Sequence, residues 1–263
     1  MLVVIRGAGD LASGIALRLH HCGIRVVMTD LPCPLSIRRT VSFSSAISQG
    51  SYTVEDITAK RADTAPQVLE LLDAGFLPVL ADPEGLCIPQ LAPDAVVDAI
   101  LAKRNLGTRI TDAPVVIGVG PGFTAGKDCH AVVETMRGHT LGRVIYQGSA
   151  LPNTNIPGLI GGYAGERVLR SPADGIFHSL LSIGTPVSSG DVTGTVEGQP
   201  MCCTLDGILR GLIADGTPVT RGMKCGDIDP RGDSTCCHLV SDKALAIGGG
   251  VLEALMHLTK IMR

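Results

Sequence analysis

ADGIFHSLLSIGTPVSSGDVTGTVE at residues 173–197 and LDGILRGLIADGTPVTRGMKCGDID at residues 205–229 are two copies of one segment: at an offset of 32, ten of the 25 aligned positions are identical. Each copy reads as a strand, a Gly-Thr-Pro-Val turn, a Gly turn and a short strand. A piece this small cannot bury an apolar face alone, so the two copies are expected to pair about a pseudo-twofold axis. The sequence therefore divides into a small all-β domain over 167–231, a larger domain over 1–166 before it, and a helical segment over 232–263 after it.

The paired repeat resembles the lipoyl/biotinyl barrel-sandwich fold. In carriers of that family a lysine at the tip between the half-repeats takes the prosthetic group. The corresponding stretch here, Gly198 to Thr204 (GQPMCCT), contains none. The resemblance thus implies an unmodified barrel that packs on a partner or on its own chain.

The first domain opens with an apolar run, Leu2 to Ile5, that enters Gly7-Ala8-Gly9-Asp10-Leu11-Ala12. An apolar-periodic stretch follows to His20, and a second strand from Ile24 ends at Asp30. This is a β-α-β unit with a G-x-G-x-x-A loop. The first glycine permits a tight turn, the second lets a phosphate approach the backbone, and the small third residue lets the helix sit close to the strand. Asp30 is placed where a carboxylate reaches a ribose hydroxyl. Gly7, Gly9, Asp10, Leu11, Ala12 and Asp30 are therefore the first set of cofactor-binding candidates.

Thr64 to Ala74 reads as a helix, Phe76 to Ala81 as a strand, and Pro93 to Arg104 as another helix. Val115 to Val119 is a strand running into a second glycine-rich loop, Gly118 to Gly126, with a helix expected from Lys127 to Met136. Both glycine loops should lie at the carboxyl ends of strands, on one rim of a parallel sheet, and Gly118, Gly120, Gly122 and Phe123 complete the binding set. Asp128, His130 and Glu134 follow, with His130 and Glu134 four apart on one predicted helix face. Two ligands do not close a metal site, so no metal is assigned. Cys33, just past the second strand, is a candidate thiol on the same rim. Cys33, Asp128, His130 and Glu134 form the catalytic candidates.

At 45% apolar and 18% charged, the chain is aliphatic and has little polar cover, which favours a homo-oligomer. A net charge of −3 with scattered cations gives no footprint for nucleic acid or an anionic membrane. No signal sequence or membrane helix is read, and nine cysteines without any CxxC fit reduced thiols, so a soluble cytoplasmic protein is expected. Ser241 and Asp242 begin an apolar-periodic run to Ile261, interrupted by Gly248-Gly249-Gly250. These glycines mark close packing or a break.

GAGDLASG at 7–14, VVDAILAKRNLGT at 96–108, APVVIGVGPGFTAGKDCHAVVETMRGHTLGRVI at 113–145, the repeat, and SDKALAIGGGVLEAL at 241–255 together resemble the YqeB family. That resemblance implies a role in maturing selenium-dependent molybdenum hydroxylases, and a distant likeness to the XdhC chaperones of the molybdenum cofactor. Molybdenum cofactor, a pterin, would then sit on the glycine rim, with a molybdenum hydroxylase as client. The alternatives are an NAD(P)-dependent oxidoreductase, favoured by GAGDLA and Asp30, and a non-enzymatic assembly adaptor. The expected fold is α/β: a Rossmann-like parallel-sheet domain, a barrel-sandwich domain, and a carboxyl-terminal helical segment packing on the first.

Overall fold

The computed structural model describes residues 1–154 and 156–259, and the chain divides into two compact units. Unit one comprises Met1–Pro34, Ser42–Asn153 and Val240–Arg263; unit two comprises Leu35–Val41 and Thr154–Leu239.

Unit one is built on a nine-stranded sheet. In chain order its strands are β1 (Leu2–Arg6), β2 (Arg25–Asp30), β3 (Ser51–Val54), β4 (Ile57–Ala62), β5 (Leu77–Ala81), β6 (Ala95–Asp98), β7 (Val115–Val119), β8 (Ala131–Val133) and β9 (Val144–Ile145). They lie in the order β3-β4-β5-β2-β1-β6-β7-β8-β9. Neighbours from β4 to β8 are parallel, while β3 and β9 join antiparallel at the two edges. The central strands are β-branched and buried throughout, as strands covered on both faces must be: Val3, Val4, Ile5, Val96, Val97, Val116 and Ile117 are all inaccessible to solvent.

The α-helices are α1 (Asp10–His21), α2 (Ser45–Gln49), α3 (Ala65–Asp73), α4 (Ile88–Leu91) and α5 (Asp242–Thr259). Helix α3 starts where Thr64 accepts the Gln67 amide and Pro66 occupies the first turn. Helices α1 and α5 pack side by side through small residues. A side chain at Gly14 would stand 2.5 Å from Cβ of Ala244, and one at Gly248 would stand 3.0 Å from Cβ of Arg18. One helical turn along α1 thus matches one turn along α5, so the two helices run parallel. The triple glycine of α5 leaves the helix intact, and Gly248 and Gly250 serve close packing, whereas a side chain at Gly249 would meet open space. Its cost, about 1 kcal/mol per glycine relative to alanine, accompanies an approach that larger residues would prevent. The predicted end of this run at Ile261 lies outside the described residues.

Unit two contains β10 (Val168–Arg170), β11 (Gly175–Ser179), β12 (Pro186–Val187), β13 (Val192–Val196), β14 (Gln199–Cys202), β15 (Gly207–Leu212), β16 (Pro218–Val219) and β17 (Lys224–Asp229). They form two four-stranded sheets, β10-β17-β15-β12 and β14-β13-β11-β16. The first repeat supplies β11 to β13 and the second β15 to β17, and each lends its short middle strand to the other. Gly175 pairs with Val219, and Val187 with Gly207, two contacts related by the offset of 32. Side-chain clamps obey the same symmetry: Asp174 accepts the Arg221 amide as Asp206 accepts that of Ser189. Phe177, Val196, Leu209, Leu212, Cys225 and Ile228 fill the core between the sheets.

The fold expected from the sequence, a Rossmann-like parallel sheet with a lipoyl/biotinyl-type barrel-sandwich, is corrected in both parts. The large sheet is mixed and poor in helices, because local β-α-β signals do not report the antiparallel hairpin strands added at its edges. The small unit is a pair of sheets. The stretch that would form a carrier's tip is instead strand β14, hydrogen-bonded to β13. Two predicted helices are also strands: 93–104 contains β6, and 127–136 contains β8. Both contain short runs rich in valine, for which periodicity does not separate a buried strand from a helix.

Candidate functional site

The two glycine loops lie at the carboxyl ends of β1 and β7, and the segment that follows β6 runs between them. Gly7 has a left-handed φ of 102°, and a side chain there would stand 2.7 Å from the Ala99 carbonyl oxygen. A side chain on Gly122 would stand 2.7 Å from the Arg104 backbone. The close approach that glycine allows is thus used by the chain itself. Gly118 is covered by the ring of buried Phe123, and Gly120 lies against Thr135 while its amide donates to the Val133 carbonyl at 2.8 Å.

The segment after β6 is held from below. The buried Arg6 guanidinium, at the end of β1, donates to the Thr108 hydroxyl and to the Pro83 carbonyl at 3.0 Å. Thr108 in turn donates to Asp98 at 2.6 Å. Burial pushes the Asp98 carboxyl above its usual range, opposed by the Thr108 hydroxyl, the Ile100 amide and the Arg6 charge. Above this anchor Leu101 and Lys103 both adopt left-handed backbone, with φ of 61° and 62°. Such strain costs on the order of 1–3 kcal/mol per residue and persists where surrounding contacts over-determine it.

Asp30 ends β2, and its two carboxylate oxygens accept the amides of Ala8 and Leu31, each at 2.8 Å. Burial raises its pKa and the two amides oppose the rise. The Gly7 amide donates to the Thr29 carbonyl at 2.7 Å. Two amides of the first glycine loop are therefore already taken. Gly9 is the amino cap of α1 and brings no side chain to it, while Asp10, Leu11 and Ala12 form the first turn.

Three of the four catalytic candidates brace backbone. Asp128 accepts the Thr124 amide at 2.8 Å. His130 Nδ1 accepts the Val116 amide at 2.9 Å, which places any ring proton of the neutral form on Nε2. Glu134 is buried and accepts the Thr135, Met136 and Leu151 amides at 2.6, 2.7 and 2.8 Å. These side chains fix the second loop and the strand beyond it. His130 and Glu134 flank β8, so they do not share a helix face. Cys33 is exposed, three residues past the end of β2. Among the described residues, no group of three or more His, Cys, Asp or Glu side chains could hold a metal ion. A cleft of about 210 Å³ lies at the opposite sheet edge, between the ends of α1 and α3, lined by His20, Arg25, Leu72 and Phe76 among others.

Sequence reasoning missed Arg6, Asp98 and Thr108, whose contact spans about a hundred residues, and Lys243 in the first turn of α5. The Gly14–Ala244 contact brings the starts of α1 and α5 together, so Lys243 joins the same edge as Gly9 to Ala12.

No family model matches the chain. It is 54% identical over 257 residues to "Uncharacterized protein YqeB" of Escherichia coli K12, covering 98% of this chain and 48% of that protein. The chain thus spans about half the length of this relative. Solved structures that align with it include an aspartoacylase family protein from Mesorhizobium loti, with 12% identity, 86% of this chain, 83% of that one and a TM-score of 0.28. A succinylglutamate desuccinylase from a Silicibacter species aligns with 13% identity, 86% and 84% coverage and a TM-score of 0.25. At these values no activity passes from them to this chain.

The relative's description names no molybdenum or selenium chemistry. The maturation role that the family resemblance implied, with its molybdenum and selenium chemistry, is corrected accordingly. On the rim expected to cradle a pterin, Gly7 and Gly122 are approached by the backbones of Ala99 and Arg104, and Asp30 accepts the Ala8 amide. No described helix is long and apolar enough to cross a membrane. The comparisons establish that this chain is homologous, over nearly all of its own length, to about half of YqeB.

Proposed function

We propose that unit one binds a small oxyanion-bearing molecule at the carboxyl edge of its sheet, in the groove where α1 and α5 begin. The observation that carries this reading is the parallel packing of the two helices, which sets two positive helix poles side by side. Like poles in contact are unfavourable unless anions offset them; Asp10 and Asp242 in the two first turns supply part of that charge, and a bound oxyanion would add to it. Gly9, with extended backbone at φ −70° and ψ −176°, leaves the first-turn amides of α1 without a side-chain cap from that position. Of the residues anticipated from the sequence, Gly9, Asp10, Leu11 and Ala12 contribute to this groove. Asp30 holds the Ala8 amide beside it. The ligand class is a phosphate- or carboxylate-bearing metabolite, with NAD(P) and pterin phosphates among the compounds to be screened. A cytoplasmic setting and a homo-oligomeric state belong to the same reading.

The test uses Gly9→Asp. The backbone at this position accepts any residue, and an aspartate cap satisfies the first-turn amides, adding a few tenths of a kcal/mol to helix stability relative to glycine, by about the usual difference between these caps. The same carboxylate excludes an external anion. Inorganic phosphate should raise the melting temperature of the wild-type protein and leave that of Gly9→Asp unchanged. An equal rise in both proteins would place the anion elsewhere.

A further inference from the structure

The outer face of the sheet β14-β13-β11-β16 in unit two is apolar and exposed. Phe177 is buried, while Ile176, His178 and Leu180 alternate to the other side of β11 and are exposed. Exposed Pro218 pairs with Ile176, and exposed Cys202 with Val192, so the apolar surface runs across the sheet. Charge stands at its margins, in Glu197 of the β13–β14 turn and in Asp215, 3.8 Å from His178. The equivalent face of the second repeat shows how such a surface is closed. Ile208 and Leu212, the counterparts of Ile176 and Leu180, are buried, with Ile37 of Leu35–Val41 set against Gly211. There the Leu212 amide donates to the Ile37 carbonyl, whereas the Leu180 amide is already taken by the Thr193 carbonyl at 3.0 Å. A cover for the first face is therefore held by side chains, and an uncharged face calls for an uncharged occupant.

Unit two itself carries a surface of that kind. Residues 156–163 (IPGLIGGY) include no charge, yet Ile156 and Leu159 are 72% and 70% exposed and Tyr163 is exposed as well. The segment is held in place: Ile160 and Tyr163 exchange backbone hydrogen bonds at 2.9 and 3.0 Å, and the Gly158 carbonyl accepts from Arg167 at 3.1 Å. Contiguous exposed aliphatic surface marks an interaction site, and both surfaces are exposed within one chain. We propose that the occupant of the first-repeat face is segment 156–163 of a second copy of this chain, each copy covering the other about a two-fold axis. Each of the two equivalent contacts removes an aliphatic segment and an aliphatic face from water together. Reciprocity also doubles the buried area, toward the roughly 800 Å² per partner of a stable interface. The inference rests on the homo-oligomeric reading given above, to which it adds the interface, and is independent of the oxyanion groove.

Sedimentation velocity on the full chain tests this. The wild type should sediment as a dimer, and Leu180→Asp and Leu159→Asp should each sediment as a monomer with the wild-type circular dichroism spectrum, since both positions are exposed. Leu180→Ser and Leu159→Ser take their place if an aspartate disturbs the fold. Leu69→Asp, at an exposed position of α3 in unit one, should remain dimeric. Mixing Leu180→Asp with Leu159→Asp should raise the weight-average mass above that of either alone, because one of the two contacts then joins an intact face to an intact segment. If both variants stay dimeric, the oligomer stands and this interface is wrong. If the folded variants are monomeric and their mixture is too, face and segment are not partners and the proposal fails. A monomeric wild type overturns the interface and the homo-oligomer together, and binding of the unmatched half of YqeB to that monomer, lost in Leu180→Asp, would assign the face to that partner instead.

Discussion

The two copies of the repeat in unit two share strand pairing and turn clamps but differ in what covers them. In the second copy Ile208, Arg210, Leu212, Asp227 and Asp229 are all buried. Their counterparts in the first copy are Ile176, His178, Leu180, Thr195 and Glu197; Leu180 is 60% exposed, whereas Leu212 is 0%. The register explains how the copies diverge. The first copy pairs Phe177, His178 and Ser179 regularly with Val196, Thr195 and Gly194. The second has a bulge between Leu209 and Gly211, which re-aims Arg210 toward Asp227 and Asp229. Over that bulge lies Leu35–Val41, where Ile37 covers Gly211 and its carbonyl accepts the Leu212 amide at 2.9 Å. Arg167 joins Asp227 from within, while the more exposed Arg231 joins Asp229 and Lys224 reaches Asp227, so the buried carboxylates sit in one connected network. Turn chemistry fixes the pairing of a repeat, and distant segments decide which face is interior.

The largest effect should come from that network. Asp227→Ala leaves Arg167 and Arg210 buried without their shared carboxylate, and a loss of about 3–5 kcal/mol is expected in denaturant unfolding. The symmetry-related Thr195→Ala should cost no more than about 0.5 kcal/mol. Equal losses would mean that coverage does not separate the copies.

Next is the contact with the covering segment. A side chain at Gly211 would meet Ile37 Cγ2 at 2.8 Å, so Gly211→Val should cost about 1–3 kcal/mol through overpacking. Ser179→Val, its counterpart, should cost less than half as much. A similar cost at both positions would show that the strand, and not its cover, resists the larger residue.

The smallest effect is in the pH dependence. Burial pushes the Asp229 carboxyl up, but hydrogen bonds from Arg231 and the charges of Arg210 and Arg231 outweigh it and hold the group well below the usual carboxylate range. Its folded-state pKa is thus lower than its unfolded one. The stability it contributes is present above the unfolded value, near 4, and is lost as pH falls toward the folded value. Asp229→Asn should flatten the fall in unfolding free energy below about pH 4. A curve unaltered by Asp229→Asn would remove this group from the acid response.

The repeat, the strands β1, β2, β5 and β7, and helices α1, α3 and α5 were legible in the sequence because each is specified by local pattern. Thr64 with Pro66, and Ser241 with Asp242, mark helix starts without help from distant residues. Strands β6 and β8 were not legible, since AVVD and AVV are too short to show a period. The convergence of the glycine loops on one edge could be read from strand ends. That Asp30, Asp128, His130 and Glu134 are engaged by backbone amides could not, because the amides belong to loops whose path depends on the whole sheet. Lys243 was hidden for a similar reason. Its position follows from Gly14, Ala244 and Gly248 meeting across more than two hundred residues of chain.

The most direct test of the oxyanion groove is residue-resolved amide NMR during titration with inorganic phosphate. Saturable shifts should be confined to Gly9–Ala12 and Asp242–Ala244, and should be absent in Gly9→Asp. Uniform, non-saturating shifts, or shifts centred on Lys224 and Arg231 of unit two, would contradict an oxyanion site at the paired helix starts.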